Sequence, residues 1–341
     1  MANAKKTKLK KRHLSIFRSD RNKVQWFIFA ITILAGIQFT VFISSLSLTG
    51  FSLIQKPQAV DGFLPIGSLI SLKYFFMTGI MDHVHPAGVV ILLFAVIISF
   101  LFKKAFCSWF CPVGTVSEWL WKLGYQIFGK NYKPPKWIDI PLRSIKYLLM
   151  YFFVISVLRM DVGRLESILG GQYWKMADVK MLSFFASMSG KAITVLVLLA
   201  VFSFFIRNFW CRYLCPYGGF LGIFSFISPS RIARDDNACT DCGLCAKVCP
   251  AYLTVDKKPY IISAECTGCV ACTDACPVNK ALQFETLPLR TSFWTTRRLA
   301  FIIVGSFLIL VVVSKAAGIW ESQTTPEEIQ KLLPYLDSIE H

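Results

Sequence analysis

Cys239-Thr-Asp-Cys242-Gly-Leu-Cys245-Ala-Lys-Val-Cys249-Pro250 is followed by Cys266-Thr-Gly-Cys269-Val-Ala-Cys272-Thr-Asp-Ala-Cys276-Pro277, in the same register. Each run reads C-x2-C-x2-C-x3-C-P. In this spacing three close thiolates take one 4Fe-4S cube and the fourth crosses to the other. The reading assigns Cys239, Cys242, Cys245 and Cys276 to one cube, and Cys266, Cys269, Cys272 and Cys249 to the second. Gly243 and Gly268 permit the tight turns that wrap such a group. Zinc sites use two separated C-x-x-C pairs, which is not this pattern. The chemistry implied is one-electron transfer.

Outward from this segment the chain is apolar, with 55% hydrophobic residues and a positive mean hydropathy. That balance belongs to a membrane protein. Five stretches contain no Asp, Glu, Lys or Arg: 24–42, 87–102, 147–158, 192–206 and 299–313. A span needs about 20 residues, so the shorter stretches must draw on flanking residues. For 147–158, Arg143 and Lys146 are expected to snorkel to the interface, with the helix starting near Pro141. The fold class expected is an α-helical integral membrane protein of about five transmembrane helices in two similar halves, with an inserted cytoplasmic two-cluster iron–sulfur domain.

Basic residues set the orientation. Lys5, Lys6, Lys8, Lys10, Lys11, Arg12, Arg18, Arg21 and Lys23 crowd the amino-terminal arm, and Lys103, Lys104, Lys122, Lys130, Lys133 and Lys136 follow the second stretch. Both regions are placed on the cytoplasmic side of the bacterial cytoplasmic (inner) membrane, together with the thiol-rich segment. That reducing face disfavours disulfides. Five spans put the acidic tail, with Glu321, Glu327, Glu328, Asp337 and Glu340, outside. The expected organisation is a basic arm (1–23), a four-helix membrane domain (24–236), the iron–sulfur domain (237–285), a fifth helix (298–318) and an outer tail (319–341). The formal charge of +17 flanks apolar stretches and so points to the lipid membrane, with no nucleic acid partner. The first stretch is too long for a cleaved signal peptide and is expected to remain as an anchor.

The other four cysteines lie in an internal repeat. Phe102-Lys-Lys-Ala-Phe-Cys107-Ser-Trp-Phe-Cys111-Pro-Val-Gly114 echoes Ile206-Arg-Asn-Phe-Trp-Cys211-Arg-Tyr-Leu-Cys215-Pro-Tyr-Gly218. On a helix, residues four apart share a face, so Cys107 pairs with Cys111 and Cys211 with Cys215. Pairing of the two halves would gather four thiols as a candidate third site: an iron–sulfur cluster, another thiophilic metal or a redox-active dithiol. The competing reading is a structural Cys-Pro turn that packs the iron–sulfur segment against the membrane. His83 and His85, ahead of Pro86, are candidates for accepting protons at a quinone site or ligating a metal, against the plainer role of polar interfacial cap. Thr325-Pro-Glu-Glu328 reads as a capping box that opens a short amphipathic helix.

The repeated C-x-x-x-C-P after apolar stretches, joined to the two cysteine runs, resembles the membrane-bound polyferredoxin family over about residues 24–277. The family includes the membrane quinol dehydrogenase component of periplasmic nitrate reductase systems, the membrane electron donor of nitrous-oxide reductase and the iron–sulfur assembly factor of cbb3-type oxidase. The resemblance implies two 4Fe-4S clusters in a ferredoxin-like domain, quinone or quinol as substrate, and a redox partner protein within a complex. It departs from individual members: the chain has no outer flavin domain, only 318–341 follow its last span, and a fifth apolar stretch follows the ferredoxin segment. The function expected is single-electron transfer between the quinone pool and a redox partner, as a quinol-dehydrogenase-type oxidoreductase subunit. The alternatives are a copper reductase or assembly factor for a respiratory oxidase, and a redox sensor. Spans without ionisable residues argue against a pump.

Overall fold

The computed structural model describes residues 19–52, 54–287, 294–336 and 338–339. The basic cluster Lys5 to Arg18 lies outside the described residues. All five charge-free stretches fold as helix: within Asp20–Thr49, Pro86–Leu101, Lys136–Leu158, Gly190–Phe205 and Thr296–Ala316, give or take a terminal residue. Asp20 opens the first, where a carboxylate complements the helix dipole, and Gly50 closes it at φ 72°. At 1.5 Å per residue its 30 residues run about 45 Å.

Among the described residues, three helices are long and apolar enough to cross a membrane: Asp20–Thr49, Lys136–Leu158 and Thr296–Ala316. A fourth span is counted if Ala177–Ala186 and Gly190–Phe205, bent by 81° at their junction, act as one. Pro86–Leu101 is apolar but only 16 residues long. Phe27, Leu34, Leu148, Phe152, Phe301 and Ile309 are more than half exposed, the surface expected against lipid rather than water. The third helix corrects one expectation. It begins at Lys136, before Pro141, and Lys146 is fully buried rather than snorkelling, because a carboxylate from the ferredoxin segment meets it.

The chain divides into two compact units, and the boundaries fall inside those five helices. One unit comprises Met1–Phe29, Ala95–Met150 and Val195–Ser306. It contains a three-stranded antiparallel sheet of order β2-β1-β3, with β1 Ser230–Arg234, β2 Tyr260–Ile261 and β3 Leu282–Thr286. Ile232 faces Ile261 on one side and Phe284 on the other, and all three are buried. The sheet thus begins at Ser230, ahead of the expected boundary at 237, because β1 is needed to pair both flanking strands. In the same unit Arg21 makes a two-pronged ion pair with Glu118, which also takes Lys122 at 2.7 Å. Those cations hold Glu118 far below the ordinary carboxylate range even though burial opposes its charge.

The other unit comprises Ala30–Phe94, Tyr151–Thr194 and Phe307–His341. Its core packs Phe39, Phe42 and Leu46 with Val60, Met176, Val179 and Ile329. The Lys73 ammonium donates to the carbonyls of Val157, Leu158 and Met160, satisfying the open end of the Lys136–Leu158 helix. The N-cap half of the expected capping box is present: Thr325 Oγ1 accepts from Glu328 N at 3.3 Å and starts the helix Pro326–Leu332.

Candidate metal centres

The two cysteine runs are shaped alike. Cys242 lies between Asp241 and Gly243 at φ 49° and 70°, and Cys269 between Gly268 and Val270 at φ 59° and 48°. Left-handed residues on both sides of the middle cysteine curl each loop around its thiols. A cavity is lined by Cys239, Cys242, Cys245 and Cys276, so the fourth cysteine of the second run joins the first three of the first. Cys272 has Cys269, Cys249 and Cys266 among its electrostatic neighbours, the reciprocal crossing. The two sets differ in exposure. Cys249, Cys266, Cys269 and Cys272 are buried, while the other four are half-buried. Arg234 backs the more open set, donating to Cys239 Sγ at 3.6 Å and Asp241 at 3.1 Å.

All twelve cysteines are free thiols. Among the described residues no three thiol sulfurs fall within 4.8 Å of one another. A mononuclear tetrahedral zinc with bonds of about 2.3 Å would hold its sulfurs about 3.8 Å apart. The donor sets therefore fit a larger iron–sulfur group better than a single ion. Burial pushes Cys249 up to about 12 and Cys245 up to about 11. Loading iron there expels thiol protons.

The repeat cysteines converge. Cys107, Cys111, Cys211 and Cys215 line one cavity with Lys104, Tyr217 and Glu265. Cys111 and Cys215 are the N-cap residues of Pro112–Phe128 and Pro216–Phe226, each followed by proline at the first helical position. Cys215 Sγ accepts from Gly218 N at 3.3 Å, so the free N–H groups of that turn point at sulfur. Against this, burial pushes Cys111 up to about 11. Four thiols line one chamber, two of them at helix N-termini, and on the same spacing argument they fit an iron–sulfur group better than a single ion.

Both halves of the repeat grip the loops that carry the buried set. In the first half, Ser108 Oγ donates to Thr267 O at 2.7 Å, Trp109 Nε1 to Gly268 O at 3.2 Å and Lys104 N to Cys266 O at 3.3 Å. In the second, Arg207 donates to Lys247 O at 2.8 Å and Cys249 O at 3.0 Å, and Arg212 donates to Ala251 O at 2.8 Å. Arg212 is itself held by two 2.9 Å bonds to Asp139. Glu265, next to Cys266, takes the Lys146 ammonium at 2.7 and 2.8 Å and the Tyr147 hydroxyl at 2.9 Å, with Lys104 at 3.6 Å. The cations hold its carboxyl below the ordinary range against the effect of burial. Sequence reading missed this network; the signal available was a lone Glu beside a ligand cysteine in a chain rich in lysine.

The two histidines are not brought together. His83 is exposed, with its carbonyl accepting from Gln323 N at 2.9 Å. His85 is buried, with Nδ1 2.9 Å from Asp61 Oδ1 and Nε2 2.8 Å from Trp174 O.

Crossed thiol quartets seated on a duplicated helical scaffold define a ferredoxin-type electron carrier built into a membrane protein. Comparison with known proteins agrees. A 4Fe-4S binding domain model matches residues 84–133 and 191–232, the two repeat halves, and a 4Fe-4S dicluster domain model matches residues 231–282. The chain is 38% identical to the electron transport protein YccM of Escherichia coli, covering 94% of this chain and 91% of that one. It is 31% identical to the methylamine utilization ferredoxin-type protein MauN of Methylorubrum extorquens, over 64% of this chain and 74% of MauN. It is 27% identical to the ferredoxin-type protein NapH of Haemophilus influenzae, over 59% of this chain and 67% of NapH. The chain belongs to this family of membrane-bound polyferredoxins. No solved structure matches it at a significant level.

Proposed function

We propose that the chain is an iron–sulfur conduit of the bacterial inner membrane. It exchanges single electrons between the quinone pool and a protein redox partner, with its amino terminus and ferredoxin segment on the cytoplasmic side and five helices crossing. One observation carries this reading: both C-x-x-x-C-P segments hold the loops of the buried thiol set, and their four cysteines close a chamber that Glu265 and Pro250, beside Cys266 and Cys249, also line. A structural turn alone would not need four thiols facing one cavity. When bound, the iron–sulfur groups supply one-electron carriers. Cys249, Cys266, Cys269 and Cys272 hold the inner one, Cys239, Cys242, Cys245 and Cys276 the outer one, and the four chamber thiols a third.

The residues around each set support a side for it. The half-buried outer set, with Arg234 and Asp241 at its rim, is the side a protein partner reaches. The inner set is ringed by cations: Lys103 and Lys104 act electrostatically on Cys266, and Arg207 donates beside Cys249. Positive charge near the sulfurs stabilises the reduced state and raises the potential. That favours acceptance of electrons from a quinol.

The test is iron and acid-labile sulfide analysis with electron paramagnetic resonance on the purified full chain. About twelve irons, falling to about eight in Cys111→Ala/Cys215→Ala with loss of quinol-driven reduction, is the expected result. Unchanged iron with lost copper(II) reduction would favour the copper-reductase reading instead. Midpoint potentials far below every quinone couple would refute electron entry from quinol.

A further inference from the structure

The central strand β1 ends on Arg234, and its pairing fixes where that side chain starts. Arg234 N donates to Pro259 O at 2.7 Å, and the residue stands opposite Leu282 of β3. From there the guanidinium, only 14% exposed, lines the cavity of the outer thiol set. One terminal nitrogen donates to Cys239 Sγ at 3.6 Å, a bonding distance for the larger sulfur atom, to Asp241 Oδ1 at 3.1 Å and to Asp256 O. Nε donates to Asp236 Oδ1 at 2.9 Å, and the other terminal nitrogen reaches the same oxygen. Arginine suits such a place, because its charge is permanent and its donors form a fixed fork.

A mechanical strap for the loop 235–241 would need the contacts to Asp236, Asp241 and Asp256 O but not the one to sulfur. The Cys239 thiol itself donates to Asp241 Oδ1 at 3.7 Å. As an iron ligand Cys239 is a thiolate with no proton to give, so that contact turns repulsive and Arg234 bridges two negative groups. The two sides of this balance are screened unequally. The Asp236 and Asp241 side chains are 62% and 65% exposed, so water weakens their effect, while the mostly buried guanidinium acts on the sulfur with less screening.

We propose that Arg234 sets the reduction potential of the group held by Cys239, Cys242, Cys245 and Cys276, raising it through Cys239 Sγ, with Asp236 and Asp241 as the opposing charges. This rests on the reading that these four thiols hold an iron–sulfur group. Each reduction adds one negative charge there, and a cationic donor at a ligand sulfur stabilises the more negative form. An electron that leaves the inner set, which is oxidised, and enters the outer set, which is reduced, is driven by the difference between their two potentials. Charge fixed at Cys239 favours that outward step.

The experiment is a redox titration of the full chain in detergent, followed by electron paramagnetic resonance. The outer signal is the one whose relaxation an added lanthanide chelate speeds most, because its thiols are half-buried and the inner ones buried. Arg234→Gln should weaken reduction of the outer group about tenfold, a fall of about 59 mV for a one-electron couple, and leave the inner signal in place. Arg234→Lys keeps the charge and should fall by less than half as much. Asp236→Asn/Asp241→Asn should move the same signal upward; asparagine tolerates the left-handed backbone of Asp241 at φ 49°. A strap alone predicts loss of iron without a change in midpoint. An outer midpoint in Arg234→Gln equal to wild type, an equal fall in Arg234→Lys, or an aspartate pair that leaves the signal unmoved or lowers it overturns the proposal. Iron content that is the same in wild type and Cys242→Ala sinks the iron–sulfur reading of these thiols, and the proposal with it, whereas full iron with unmoved midpoints sinks the role of Arg234 alone. If Arg234→Gln does not fold or keep its iron, the aspartate pair decides, since its shift has the opposite sign.

Discussion

Replacing Glu265 by Gln keeps the shape of the side chain and one acceptor oxygen but removes the charge that two buried ammonium groups face. Lys146 is 0% exposed and Lys104 4%, and among the described residues neither has another carboxylate within ion-pair distance. Lys146 would keep its contact with the Tyr147 ring at 5.0 Å, a weak substitute in comparison. Removing one partner of a buried pair costs about 3–5 kcal/mol, because the remaining charge stays desolvated. On the usual scaling this lowers the temperature at which the iron–sulfur absorbance is lost by roughly 10 °C. Replacing the buried pair by apolar groups is close to neutral, so Glu265→Gln/Lys146→Met should recover at least half of the loss. Heating the full chain in detergent while following visible absorbance measures both. A single variant within about 1 kcal/mol of wild type, or a double variant worse than the single, would refute the claim that this network seats the ferredoxin loop.

Gly268→Ala meets two obstacles, φ 59° and a new Cβ 2.2 Å from Phe102 O, whereas Gly129→Ala, at φ 71° with nothing within 4 Å, meets only the first. Thermal melts should show Gly129→Ala losing about 1–2 kcal/mol and Gly268→Ala clearly more. Arg207→Gln strips the donors from Lys247 O and Cys249 O, so iron analysis after mild oxidation should show faster loss of iron from the buried set than from the outer one. His85 is held above its ordinary value, so its contribution to stability is full below about pH 6.5 and fades as pH rises through the raised value. His85→Gln should flatten that slope in melts run from pH 5 to 9, and an unchanged slope would count against it. Thr325→Ala should cost about 1 kcal/mol through the lost cap.

Local pattern carried much of this structure. Charge-free stretches became helices because an apolar run with no competing turn residues has no better way to satisfy its backbone, and spacing alone grouped Cys276 with Cys239, Cys242 and Cys245, which line one cavity. The repeat cysteines were legible as a foursome, since duplication of a helical pair predicts where its thiols meet. What escaped was tertiary. Lys146 looks like an interfacial snorkel beside an apolar run, and only the fold shows that Glu265, more than a hundred residues later, buries it. Lys56, Asp61 and Asp178 form buried ion pairs although nothing local marks residues so far apart in the chain as neighbours. The 81° break before Gly190 left no trace in a stretch chosen for lacking charge.

The unequal exposure of the two thiol quartets sets different conditions for making and mending the protein. An agent that delivers iron and sulfide can reach Cys239, Cys242, Cys245 and Cys276 on the folded chain. Cys249, Cys266, Cys269 and Cys272 are buried on loops clamped by Ser108, Trp109 and Arg207, and on the proposed reading they are expected to be filled before those loops seat. The expected order of biogenesis is therefore inner before outer, which time-resolved iron loading of the purified chain would check. A molecule stripped by oxygen can be refitted in place at its rim, but at its inner quartet it must first come partly undone.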